Sequence, residues 1–204
     1  MTTLQDMLAS DGTGIAEIGA WLDGVNAAAR LEAALALDRR AQRELFKRSR
    51  TGAQLGLEHF VPTELPALHP VHHRGKNTLP LPRKHRFFEK RFCRPQDGSR
   101  RLFGYNHAPS KGLVGPGYFV AHSTADQPAW TERGAIVVDY FQVPDGPVAA
   151  GWPKVVPNSS GLQRFVYAGT RDFMRRVSEH VSIGAAYKGE KPLDHYFVLV
   201  RQDI

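Results

Sequence analysis

Eleven basic side chains fall between residues 69 and 111 (Arg74, Lys76, Arg83, Lys84, Arg86, Lys90, Arg91, Arg94, Arg100, Arg101 and Lys111), against two acids, Glu89 and Asp97. Guanidinium forks grip phosphate oxygens in pairs and ammonium groups add point charge. The strip therefore predicts recognition of a phosphorylated ligand, a polyanion such as nucleic acid, or an acidic partner. The rest of the chain is close to balanced, with seven bases and nine acids before the strip and nine of each after it, so the strip accounts for the net +7. Arg83, Lys84, Arg86, Lys90, Arg91, Arg100, Arg101 and Tyr105 are the expected ligand contacts. Phe87, Phe88 and Phe92 interleave with these bases, a mixture that can stack nucleobases beside a phosphate track. Strand alternation gives the same rings a plainer use as core residues.

Alternation also puts Lys90 on one strand face with Phe88 and Phe92, and Glu89 and Arg91 on the other with Phe87 and Cys93. Neither face is cleanly polar. That mixture fits a strand edge, a ligand cavity lined by charge, or a local twist.

Three further chemistries can be drawn from the residue types. His69, His72 and His73 are candidate metal ligands, since imidazole suits zinc, copper, iron or nickel, but their spacing matches no strong metal motif. His122 or His107 beside Asp139, with Tyr118 and Tyr105 nearby, would give an imidazole oriented by a carboxylate for general acid/base work in a small-molecule pocket. Cys93 sits between Arg91 and Arg94, which would favour a thiolate on the surface, whereas on an inner strand face it would be an inert small hydrophobe. No Gly-x-Ser-x-Gly elbow, Walker sequence or dinucleotide fingerprint occurs. Gly112, Gly115 and Gly117 lead into a strand where a fingerprint would lead into a helix. No cofactor is specified.

A chain of 204 residues with 42% hydrophobic and 23% charged residues suits one folded domain. The first residues lack the basic lead and apolar core of a secretory signal, and the apolar neighbourhood at 27–37 is broken by Arg30 and Glu32. A single cysteine excludes an internal disulfide. The expectation is a cytoplasmic protein with no membrane association; its oligomeric state is not encoded in any motif.

Residues 1–50 read as short helices, with Asn26 and Asp38 as N-caps. Leu45 and Phe46 would point inward from the last of them, and Arg40, Arg43, Lys47 and Arg48 outward. Residues 51–82 carry Pro62, Pro66, Pro70, Pro80 and Pro82 and predict an irregular crossing segment. Residues 83–204 predict antiparallel sheet plus helix, packed with the N-terminal region as one domain. Its strands are expected at 87–93, 101–107, 118–122, 135–141, 181–187 and 195–201, with a Pro95-Gln-Asp-Gly98 hairpin turn. Leu162, Phe165, Val166, Gly169, Phe173 and Val177 recur at helical spacing and predict a helix over 162–177. In the last strand both alternating sets are apolar, so it should be covered on both faces.

The expected fold is therefore α+β: a helical N-terminal region on a strongly bent antiparallel sheet or partly closed barrel, with the 162–177 helix against the sheet. Three functions follow. One is a binding protein for an anionic ligand through the strip at residues 72–111. Another is a small-molecule enzyme with a His/Asp/Tyr-lined pocket between sheet and helix. The third is a protein-interaction module without catalysis.

Overall fold

The computed structural model describes residues 2–108 and 115–202. Eight antiparallel strands, each paired with its neighbours in sequence, close into a barrel: β1 Val71–Asn77, β2 Phe87–Cys93, β3 Arg101–His107, β4 Tyr118–Ser123, β5 Ile136–Asp139, β6 Thr170–Arg176, β7 Val181–Lys188 and β8 Lys191–Arg201. The seam is β1 on β8, with Gly75 opposite Leu199 and Asn77 opposite Phe197. Full closure overturns the expected α+β architecture, in which a strongly bent sheet or partly closed barrel carries a long helix against it. An eight-stranded lumen is just wide enough to be filled by side chains or to hold one small ligand.

Two elements account for the difference. The first is β1, which lies inside the segment read as irregular. Its inward positions are Val71, His73 and Gly75 and its outward ones His72, Arg74 and Lys76, so it lacks the apolar alternation that marks a strand. The second is β6, which replaces the expected long helix. Gly169 sits at φ +75°, where the right-handed helix cannot continue. Residues before it form only a short 3-10 turn, Gly161–Phe165. After it, Thr170, Asp172 and Met174 are buried at alternate positions, the period of a strand facing the lumen.

Among the described residues the α-helices are α1 Leu4–Ala9, α2 Ile15–Gly24, α3 Ala27–Ala36, α4 Arg39–Arg48 and α5 Pro128–Thr131. Asn26 caps α3 by accepting from the Ala29 amide at 2.9 Å, and Asp38 caps α4 by accepting from Ala41 at 2.8 Å. Thr3 and Asp6 form a reciprocal capping box on α1. These caps satisfy amides that a helix start leaves without partners. Leu4, Leu8, Ile18, Leu22, Leu37 and Leu45 then pack on Val181, Ile183, Val198 and Val200, the outer face of β7 and β8. The last strand is covered on both sides, because Phe197 and Leu199 face the lumen. Arg48 departs from its expected outward position: its guanidinium donates to the carbonyls of Met7, Leu8 and Thr13 and to Glu44.

The segment between α4 and β1 closes one end of the barrel, with Leu55, Phe60 and Val61 joining Val71, Phe92, Leu102, Ile136, Met174 and Leu199 in the lumen core. The strap at 157–169 crosses the other end, termed upper here. Among the described residues no helix is long and apolar enough to cross a membrane.

Candidate functional site

Interior glycines shape the upper lumen. A Cβ on Gly104 would fall 2.3 Å from the Phe119 ring, and one on Gly184 would fall 2.3 Å from the Phe197 ring. Only glycine lets these rings lie down against the wall. Phe88 extends the aromatic wall, with its ring centroid 6.0 Å from that of Phe197.

Lys90, the middle residue of β2, enters this aromatic sleeve and is 2% exposed. Its Nζ lies 5.0 Å from the ring centroids of Phe119 and Tyr140 and 4.9 Å from that of Phe197. Asp172, carried by β6, comes within 3.1 Å of the ammonium. The three donors of Lys90 meet three acceptors: Asp172 Oδ2, Asn106 Oδ1 at 3.0 Å, and the Tyr140 hydroxyl. Asn106, paired with Lys90 across β2 and β3, donates from Nδ2 to the Tyr140 oxygen at 2.9 Å and to the Gly117 carbonyl at 3.1 Å. Tyr140 in turn donates to Asp172 at 3.3 Å. Lys90 Nζ, both polar atoms of the Asn106 amide, the Tyr140 oxygen and Asp172 Oδ2 each have a partner, as a low-dielectric interior demands.

Burial acts on all three ionisable members. Desolvation lowers the Lys90 pKa, against the opposing attraction of Asp172, and it raises the Asp172 pKa, against the attraction of Lys90. The Tyr140 hydroxyl is pushed well above its ordinary value, by desolvation first and by the Asp172 carboxylate second. The amine holds its proton less tightly and the carboxyl more tightly than either would in water. His195 stands in the same lumen-facing row, opposite Ala186, which is itself opposite Asp172. Its buried Nδ1 has no hydrogen-bond partner.

The strap closes over this network. Tyr167 stacks on Tyr140, centroids 5.2 Å apart at 19°. Gln163 accepts from the Gly117 amide at 3.2 Å and donates to the Pro157 carbonyl at 2.7 Å. The outer side of the same region exposes Phe141, Leu162, Phe165 and Val166.

Of the residues expected from the sequence to bind a ligand, only Lys90 belongs to this site. Several of the other basic residues are engaged with partners of their own. Arg83 and Lys84 are exposed on a 3-10 turn, and Arg86 donates to the Leu81 carbonyl at 2.8 Å. Arg91 faces outward, paired with Glu89 at 2.9 Å. Arg100 is exposed in the β2–β3 turn, while Arg101 pairs with Asp97 at 2.7 Å and Asp145 at 2.8 Å. Lys76 is occupied with the carbonyls of Leu35 and Leu37 at the end of α3, and Arg94 with those of Pro62 and Leu65. Lys111 and Gly112 lie outside the described residues.

The expected acid/base group is not assembled either. Tyr105, His107, Tyr118, His122 and Asp139 all point out of the barrel. Tyr105 and Tyr118 are buried under Trp152, and the Tyr118 hydroxyl donates to the Pro153 carbonyl. His107 lies beside the Tyr105 hydroxyl at 3.4 Å, and His122 engages the Ser123 carbonyl at 3.0 Å. Asp139 is held by Arg171 at 3.2 Å and by the Phe141 amide at 2.9 Å.

His72 and His73 project to opposite sides of β1 and cannot share a metal. His73 lies in the lumen against the Phe60 carbonyl at 3.0 Å, and His69 precedes the strand. Among the described residues no group of three or more His, Cys, Asp or Glu could hold a metal ion. Cys93 is buried on the outer face with its thiol pushed up to about 11 by desolvation, the inert alternative.

Tyr140, Asp172, Asn106 and His195 carry no sequence motif. Their one signal is a polar side chain at an inward strand position, visible only once the strand is assigned. Two open clefts of about 520 and 220 Å³ lie elsewhere, the first lined by Arg50, Leu55, Thr131 and Arg175 and the second by His59, Glu64, Arg176 and Arg201. Both are shallow, and neither lining includes a member of the Lys90 network. Comparisons with protein-family models, curated proteins and solved structures found no match to this chain.

Proposed function

We propose that the protein is a small-molecule enzyme whose reaction centre is the upper lumen, with Lys90, Asp172 and Tyr140 handling protons and Asn106 fixing their geometry. The reading keeps the small-molecule expectation and moves it from the outward His122/Asp139 group to the barrel interior. One observation carries it: a lysine and a carboxylate share a closed hydrogen-bond network inside an aromatic sleeve. Dehydrating two ions costs several kcal/mol each, and apolar side chains of similar volume would fill the same space at lower cost. Ionisable groups driven in opposite directions by burial and held within hydrogen-bond reach are suited to proton transfer.

Phe88, Phe119 and Phe197 favour a ligand with a flat or apolar body, and the network favours one polar, proton-accepting head. The narrow lumen restricts that ligand to a small one. Entry requires the strap to lift, breaking the Gln163 bonds and the Tyr167 stack. The unpaired Cys93 suits a reducing cytosol.

The test is proton NMR of the lumen rings while small aromatic and aliphatic ketones, acids and alcohols are titrated. One chemical class should shift the Phe119, Phe197 and Tyr140 resonances, and a Lys90→Met/Asp172→Leu variant should lose that response. A panel that leaves the rings untouched, or a variant that responds like the parent protein, would overturn the reading.

A further inference from the structure

We propose that Lys90 is a nucleophile that forms an imine with a small aldehyde or ketone; this rests on the upper lumen being the reaction centre. The geometry supplies each part of that reaction. An amine is a nucleophile only when unprotonated, and burial away from water favours the neutral amine of Lys90 against the attraction of Asp172 and the ring faces. Asp172 at 3.1 Å is placed to receive it. The Tyr140 hydroxyl touches the amine and also donates to Asp172 at 3.3 Å, so a proton can pass between carboxyl and phenol without leaving the network. Asn106 fixes both Lys90 Nζ, at 3.0 Å, and the Tyr140 oxygen, at 2.9 Å.

In the first step the nitrogen lone pair bonds the carbonyl carbon and the carbonyl π pair moves to oxygen. That oxygen takes the Tyr140 proton, Asp172 passes the proton it received from the ammonium to the tyrosinate, and the nitrogen then loses a proton to the carboxylate so regenerated. In the second step the hydroxyl leaves as water with a proton returned by Asp172, and the nitrogen lone pair completes the C=N bond. One amine and one carbonyl compound become one imine and one water, with no oxidant or reductant required. A protonated imine keeps a positive charge against Asp172 and the ring faces, so the surroundings that stabilise the ammonium also suit the intermediate. Phe88, Phe119 and Phe197 favour a carbonyl compound with a planar or branched apolar substituent. Asp172 and Tyr140 are positioning and proton-carrying residues in this scheme.

The full chain is incubated with limiting benzaldehyde or 4-phenylbutan-2-one and sodium cyanoborohydride, which reduces an imine to a stable secondary amine. Peptide mapping then locates the adduct, with exposed Lys47, Lys84 and Lys154 as internal controls. Lys90 should be modified at least about tenfold faster than any control lysine, as expected of a desolvated amine. Tyr140→Phe should slow labelling at Lys90, and Asp172→Asn should move its pH profile to lower pH because the carboxylate no longer holds the ammonium, while both leave the controls unchanged. Lys90→Arg should abolish the dominant adduct with its circular dichroism unaltered.

Adducts spread over exposed lysines, with Lys90 unmodified, would overturn this inference. If the same probes still shift the lumen ring resonances, the reaction centre stands and only its covalent chemistry falls. If they neither label Lys90 nor shift the rings, and no other class in the titration panel does, both readings fall.

Discussion

Lys90 and Arg91 are consecutive residues of β2 with opposite surroundings. Lys90 turns inward, 2% exposed, and its charge is met by Asp172 from the far wall of the barrel. Arg91 turns outward and pairs with Glu89, two residues back on its own strand, with both side chains partly in solvent. The division extends to the whole barrel. Outside, Arg39 and Arg43 share Asp194, Arg101 takes Asp97 and Asp145, and Arg133 takes Glu190. Inside, the Lys90 network occupies the upper lumen and the neutral imidazoles of His59 and His73 lie toward the closed end. Water screens the outer pairs and would solvate either member if the other were removed. The inner pair has no such recourse, so charge inside is a liability unless every group keeps its partner.

The largest test of that contrast removes one inner partner. Asp172→Ala should cost about 3–5 kcal/mol in urea unfolding, because Lys90 is left buried and unpaired. The doubly apolar Lys90→Met/Asp172→Leu variant should recover to within about 1 kcal/mol of the parent or exceed it. A double variant as unstable as the single one would show that the two charges are not energetically coupled.

A smaller effect comes from the imidazoles. Desolvation depresses the His59 pKa well below its ordinary value and brings that of His73 to about 3. Both folded-state values lie below the unfolded imidazole value of about 6.5. As pH falls through that value the unfolded chain takes up protons that the fold excludes, and stability declines. His73 should subtract about 1.6 kcal/mol between pH 6.5 and 5, and His59 acts in the same direction. His59→Leu should flatten the slope of urea midpoint against pH; an unchanged slope would mean that His59 is hydrated.

Smaller again is the strap. Gln163→Ala removes the acceptor of the Gly117 amide and should cost about 1–2 kcal/mol, with faster hydrogen exchange at that amide. Smallest is the outer pair: Arg43→Ala should change stability by less than about 1 kcal/mol and by still less in high salt. A larger loss would break the contrast from the other side.

Much of the scaffold could be read in the sequence where local chemistry decides it. Asn26 and Asp38 are caps because short polar side chains satisfy helix amides, and Gly98 turns the β2–β3 hairpin at φ +72°. Six strands follow from β-rich runs bounded by turn residues. The β6 pattern was ambiguous because Leu162, Phe165 and Gly169 fit a helical period while Thr170, Asp172 and Met174 fit a strand facing an interior that periodicity does not reveal. β1 was hidden because its inward His73 and Gly75 are unlike core residues. Once β1 is missing the sheet has no reason to close, and without closure Lys90 and Asp172 have no reason to meet. Lys90 beside Phe88 and Phe92 points to a charge-lined cavity as one of three alternatives. Its partners stayed out of reach because they come from strands distant in sequence.

The β1–β8 seam has a consequence for how the barrel is made. Residues 73–77 pair with residues 197–201, and the bonds from Thr78 to Tyr196 and from Gln202 to His72 fasten the seam at both ends. Contacts so distant along the chain form slowly, because a long loop must close before they contribute. During synthesis β1 is left as an unpaired edge open to other chains until β8 emerges. The helices of the first fifty residues also wait, since the wall they pack on is β7 and β8. Lys90 and Asp172 remain hydrated through this interval and surrender their water only when the final strand closes the wall around them.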